Sequence, residues 1–194
     1  MRTQNSRFDS VYIKSTGSYV PARVLRNEDL VGNLPTSPDW IFQTLGIRER
    51  AIAEPDEYTS DLAARAGLNA IASAGLEPNE IDLIIVATST PDRKCPSAAC
   101  MAQAKMGIRN GCAAFDVAAV CSGFLYGITI AGQFIQNGTY GHVLVIGADT
   151  FSKSRTGTTA TASFLETAPA PWCWPGTIGR TAYSRASSWL MAGA

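Results

Sequence analysis

Apolar runs alternate along most of this chain with stretches rich in alanine and glycine. Residues 80–89, 115–120 and 143–148 are the apolar runs, and residues 11–20 carry strand-forming types up to Pro21. Runs of that length without polar alternation fit strands covered on both faces. Between them the punctuation is helical. Ser37, Pro38 and Asp39 give a cap, a proline and an acid to a helix over Pro38–Leu45, which Gly46 stops. Thr59 or Ser60 caps an alanine-rich helix to about residue 74, closed by Gly75, and residues 97–106 form another, closed by Gly107. A further helix over 124–136 ends at Asn137 and Gly138. Asn27 caps a short turn over 28–31, and residues 47–50 read as an exposed, charged, extended piece. Strands separated by helices predict an α/β fold, layered around a mainly parallel sheet.

Composition narrows the choice of partners. The 194 residues suffice for one domain with a real core, or somewhat more. Sixteen basic and sixteen acidic residues cancel, which points to neither nucleic acid nor an anionic membrane. No apolar run is long enough for a bilayer span, and the polar start is not a signal peptide. The five cysteines (Cys95, Cys100, Cys112, Cys121, Cys173) lack metal-ligand spacing, and their odd number argues against a disulfide framework. No metal and no cofactor is expected, and a reduced, cytoplasmic protein is the economical reading.

The candidate chemistry lies where residues 115–120 meet the next helix. Cys121 stands at that strand-to-helix corner, where free backbone N–H groups and the helix dipole favour thiolate, the nucleophilic form. Gly123 removes a Cβ where a substrate carbonyl would approach the backbone. On spacing alone a buried structural cysteine remains the alternative. The wording is more specific: Asp116-Val-Ala-Ala-Val-Cys121-Ser-Gly-Phe-Leu-Tyr126 resembles the active-site segment of 3-oxoacyl-[acyl-carrier-protein] synthase III, a condensing-enzyme family of the thiolase superfamily. The likeness runs from about Val11 to Lys153. It implies that Cys121 takes an acyl group from acyl-CoA. A decarboxylative condensation with malonyl-acyl carrier protein would follow, initiating fatty acid or related biosynthesis. It also implies the first half of a thiolase-like fold, incomplete here, and a homodimer when intact.

Two further segments carry the resemblance. Trp40 to Arg50 is similar to the family's Trp-Ile-x-x-x-Thr-Gly-Ile-x-x-Arg, which implies that Trp40 stacks on the CoA adenine. The family's arginine four residues on is Thr44 here, and Leu45 replaces the usual threonine, so Arg48 or Arg50 would have to supply charge for the phosphates. The alternative is that Trp40 only packs its helix down. Cys95-Pro-Ser-Ala-Ala-Cys100 is similar to the family's aromatic-Pro-Ser-Ala-Ala segment at the dimer interface. Cys95 in place of that aromatic implies a deeper acyl slot and a longer or branched primer. His142, the single histidine, is expected to be a solvated strand end rather than a base. The family's histidine and asparagine belong to a second half that this chain is expected to lack.

Two rival readings differ in class. One is a non-catalytic fragment limited to dimerisation or acyl-CoA binding; the other is a different thiolase-superfamily acyltransferase. An isolated half is expected to be poorly stable, exposing the face meant for the other half. Residues 154–194 lose periodicity, carry three of the four tryptophans and keep one acid. Read one base out of frame, Trp172-Cys-Trp-Pro175 necessarily encodes Val-Leu-Ala, and the preceding residues permit the family's Asp-Trp-x-Asp-Arg and Gly-Asp-Gly-Ala-Gly-Ala. The expected domains are therefore 1–153, thiolase-like, and 154–194, a non-native frameshifted tail, irregular or disordered.

Overall fold

The structure, a computed structural model, describes residues 11–30, 36–153 and 184–193. Three parallel strands form its centre: β4 (Leu83–Ala87), β5 (Ala113–Val117) and β6 (His142–Thr150). β4 lies between the other two, with Leu83 opposite both Ala113 and Val143, and Ala87 opposite both Val117 and Gly147. β1 (Val11–Tyr19) and β7 (Ser184–Gly193) complete a five-stranded mixed sheet in the order β1-β7-β6-β4-β5. β7 runs antiparallel to both of its neighbours.

The apolar runs are explained by two cores. Ile84, Val86, Leu144, Ile146 and Ala148 point to one face, where α3 (Thr59–Ser73) and α4 (Ala98–Lys105) cover them. Leu83, Ile85, Val143 and Val145 point to the other, under α5 (Gly123–Gln136). Both faces of β4 and β6 are thus buried, and polar alternation has no place there. The result is the layered α/β architecture expected from the pattern.

α5 approaches the sheet through a stripe spaced by four: Gly123, Gly127, Ala131 and Ile135 are its buried residues. A Cβ on Gly127 would stand 2.9 Å from a Val145 methyl and 3.5 Å from one of Ile85. Gly127→Val should therefore lift the helix and destabilise the fold by about 2–3 kcal/mol. A fall in the urea midpoint with an unchanged slope would show this, and an unchanged midpoint would refute it.

Several expectations need correction. The strand expected over 115–120 is shifted, since β5 ends at Val117 and residues 120–122 form a single 3₁₀ turn. The extended piece over 47–50 is not exposed throughout. It leads into β3 (Glu49–Ile52), which pairs with β2 (Arg23–Arg26), and Ile47 and Arg50 are buried. Arg50 Nη1 donates to Asn27 Oδ1 at 2.9 Å, so it serves this small unit and is not free for a phosphate. Asn27 begins the short helix α1 (Asn27–Leu30), and its side-chain amide donates to Ile47 O at 2.7 Å. The α3 cap is Tyr58, whose N–H donates to Asp61 at 2.9 Å, while Thr59 and Ser60 bond elsewhere. Finally, Ser184–Gly193 is a regular strand, where an irregular tail was expected. Strand pairing uses backbone groups that every residue but proline carries, so a sequence without apolar periodicity can still fill the place between β6 and β1. The rest of the expected tail, 154–183 with Cys173, lies outside the described residues.

Candidate active site

Cys121 lies at the carboxyl edge of the three parallel strands, the edge where open α/β sheets bind their ligands. Its side chain is exposed, which removes the buried structural cysteine as a reading. Val120, immediately before it, has φ +47° and is 70% exposed. A β-branched residue in that region is strained, and such strain persists only where the surroundings impose it. Here they do. Ala119 O accepts the Ser122 N–H at 3.1 Å, and the Gly123 N–H donates to Val120 O, so the turn closes onto the start of α5.

Gly123 has a packing duty that the sequence did not show. It is buried, and a Cβ there would sit 3.3 Å from both the Ala87 methyl and Val117 O. Its missing side chain lets α5 rest on the ends of β4 and β5, which fixes Cys121 from below. Phe124 likewise covers Gly147 of β6, where a Cβ would come within 3.2 Å of its ring.

Two carboxylates that the sequence reading left without a role shape this edge. Asp116 of β5 accepts the N–H groups of Ala98 and Ala99, both at 2.8 Å, and so neutralises the amino end of α4. Asp149 of β6 takes four bonds on Oδ1: from Ser89 N at 2.9 Å, Thr90 N at 3.1 Å, Thr90 Oγ1 at 2.8 Å and Thr88 Oγ1 at 3.2 Å. Burial pushes the Asp149 carboxyl above its ordinary range, and these four bonds only partly offset that. The native chain therefore holds this proton more tightly than the unfolded chain. Stability contributed by the protonated form is lost as pH rises from the ordinary carboxylate range through the raised value.

The loop from β4 to α4 is held at both ends by these groups. Thr59 Oγ1 donates to Thr90 O at 2.5 Å and lies 2.7 Å from Thr150 Oγ1, while Ser60 donates twice to Asp92. Cys95 is exposed on this loop, at the same edge of the sheet as Cys121. Cys112 differs: burial pushes its thiol up, the direction that disfavours thiolate, and Gln103 bonds to its sulfur at 3.0 Å.

The remaining sites fall elsewhere. Trp40 projects from α2 (Pro38–Leu45), 54% exposed, so it does not serve only to pack the helix down. Arg48 is exposed, with its guanidinium 3.9 Å over the Phe42 ring. Both belong to the small β2–β3 unit, and no described hydrogen bond links either one to the Cys121 turn. His142 begins β6, five residues before Gly147, hence about 16 Å along the strand from the Cys121 edge. It is half-buried, with Nδ1 3.1 Å from Glu80 O, and cannot serve Cys121 as a base. Among the described residues no cluster of three or more His, Cys, Asp or Glu is arranged to hold a metal, and no helix is long and apolar enough to cross a membrane.

The family model for 3-oxoacyl-[acyl-carrier-protein (ACP)] synthase III matches residues 115–166, which contain the Cys121 turn and extend past residue 153. Beta-ketoacyl-[acyl-carrier-protein] synthase III of Neisseria meningitidis serogroup A / serotype 4A is 54% identical over 141 residues, 73% of this chain and 44% of that protein. The protein of the same name from Caldanaerobacter subterraneus subsp. tengcongensis is 52% identical over 141 residues, 73% of this chain and 42% of its own. The crystal structure of 3-oxoacyl-[acyl-carrier-protein] synthase III from Aquifex aeolicus VF5 superposes with a TM-score of 0.80 at 36% identity, over 95% of this chain and 54% of that one. The priming beta-ketosynthase of the R1128 polyketide pathway does so with 0.81 at 28% identity, over 100% and 52%. The chain thus spans about half the length of the relatives it matches. With the fold and the Cys121 turn, these matches place the chain in the 3-oxoacyl-[acyl-carrier-protein] synthase III family, over about half the length of those relatives.

Proposed function

We propose that this chain supplies the acyl-accepting half of a condensing enzyme that starts fatty acid or related biosynthesis. The Cys121 thiolate attacks the thioester carbonyl of an acyl-CoA, forming a new S–C bond. The bond to the CoA sulfur then breaks, and CoA leaves as its thiol with the proton that Cys121 gave up. In the complete reaction, decarboxylation of malonyl-acyl carrier protein supplies the carbanion that takes the acyl group from Cys121. The observation that carries this reading is the exposed Cys121 on a strained turn at the carboxyl edge of the sheet. Trp40 offers its exposed face to the adenine, with Arg48 the nearby cation on the same unit. Cys95, smaller than an aromatic, leaves room for a longer or branched acyl chain. The intact protein would be a cytoplasmic homodimer.

Condensation needs an oxyanion site, and the only histidine of this chain is at the wrong edge of the sheet. The histidine and asparagine that the family resemblance implies for that step do not stand beside Cys121 among the described residues, so acyl transfer is the step we assign to this chain. Incubation with acetyl-CoA followed by peptide mass mapping should place one acyl group on Cys121, ahead of Cys95, Cys100, Cys112 and Cys173. Acylation spread evenly over the thiols would sink the assignment. Acyl-CoA binding without acylation would favour a non-catalytic fragment. For residues 154–194 we retain the frameshift reading. Codons there that cannot encode the family's motifs one base out of frame would end it.

A further inference from the structure

Asp149 stands on the same face of the sheet as the Cys121 turn. Val143 and Val145 of β6 pack on the α5 side, and Leu144, Ile146 and Ala148 on the other. With a period of two, Gly147 and Asp149 fall on the α5 side, and Phe124 of α5 covers Gly147. One carboxylate oxygen at this place gathers four donors from residues 88–90. Those residues in turn reach the nucleophile's support. The Thr88 N–H donates to Val117 O at 3.3 Å, the carbonyl against which Gly123 is seated. Val117 is the last residue of β5, and the strained turn at Val120 starts three residues later.

A strained turn holds its shape only when its neighbours over-determine it. From below, Ala87, Val117 and Gly147 provide the floor; from the side, residues 88–90 provide the brace, and Asp149 holds the brace. The carboxyl is buried here, where burial disfavours its charge, and its four bonds hold it in one place.

We propose that Asp149 is a positioning residue for acyl transfer to Cys121, acting through the Thr88 N–H and the Val117 carbonyl that support the Cys121 turn. This rests on Cys121 being the acyl acceptor. Asp149 makes no bond to the acyl group. It removes freedom from the turn, so that the sulfur meets the thioester carbonyl in one orientation.

The test uses the full chain with acetyl-CoA, following intact mass against time and concentration, together with amide hydrogen exchange. Asp149→Asn should slow acylation at saturating acetyl-CoA by about tenfold or more, with the half-saturating concentration within about twofold of the parent. Thr88→Val, which leaves the charge alone, should slow it less, by about threefold, and Thr88→Ser should restore the parent rate. In Asp149→Asn, exchange at Ser122 and Gly123 should rise while Ala66 and Ala70 in the middle of α3 stay protected. Unchanged exchange at the turn overturns the proposal, and so does a rise matched in α3, which would mean general loosening. Equal rates for Thr88→Val and Thr88→Ser also overturn it. A parent that is not acylated at Cys121 defeats the nucleophile assignment instead, and the exchange measurement still decides whether Asp149 braces the turn.

Discussion

Cys121→Ala should abolish acyl transfer from acyl-CoA, and Cys121→Ser should reduce it by at least about a thousandfold. The two differ for a physical reason. Alanine leaves no nucleophile at the turn, whereas serine keeps a hydroxyl that is almost never ionised at neutral pH. It also has no histidine to take its proton, because His142 is at the opposite edge of the sheet. A thiol needs no such partner to present a useful thiolate fraction. Both substitutions are small and lie at an exposed position, so the fold should be unaffected and melting should match the parent. Cys112→Ala is the control and should keep the parent's acylation. If Cys121→Ala still takes up acyl groups at the parent rate, the nucleophile is elsewhere and the reading of this site is wrong.

The sequence made some of this legible and hid the rest for reasons particular residues show. The strands at β4 and β6 were readable because both faces are buried, so burial and apolar run coincide. The Cys121 corner was readable because a cysteine after an apolar run and before a glycine is a local pattern. β2 and β3 were not, since four residues such as Arg23–Arg26 carry no period, and the buried Arg50 looks like any surface arginine until Asn27 is set against it. Gly123 was assigned to the substrate because the sequence cannot show that Ala87, 36 positions earlier, lies beneath it. Asp149 escaped for a similar reason, since its four bonds come from residues 88–90, in the loop after the neighbouring strand β4. Thr59 and Ser60 were read as helix caps, their commonest local use. A distant loop claims both hydroxyls. Local signals gave elements, whereas these roles are decided by contacts between distant residues.

The same glycine-to-alanine change should have opposite signs at two places in this fold. At Gly17 of β1 a Cβ would fall 2.5 Å from Ala66 O and 2.8 Å from the Ala70 Cα, with the Ala70 amide nitrogen nearer still. All of these are backbone atoms of α3, so no side chain can turn aside. The approach is fixed from both sides of Gly17: Ser15 Oγ donates to Ala70 O at 2.7 Å, and Asn69 Nδ2 donates to Ser18 O at 2.9 Å. Among the described residues β1 is an edge strand paired with β7 alone, and its contact with α3 is a second attachment. Gly17→Ala must push β1 off the helix and break those two bonds, at a cost of about 3 kcal/mol or more, a large part of what holds a domain this size. At Gly132 of α5 a Cβ would meet nothing within 4 Å. There alanine only improves helix propensity, and Gly132→Ala should stabilise by about 0.5–1 kcal/mol. Urea unfolding of the two variants beside the parent decides the matter. The Gly17→Ala midpoint should fall steeply and the Gly132→Ala midpoint should rise, and a Gly17→Ala variant as stable as the parent would mean that β1 does not lie on α3 as described.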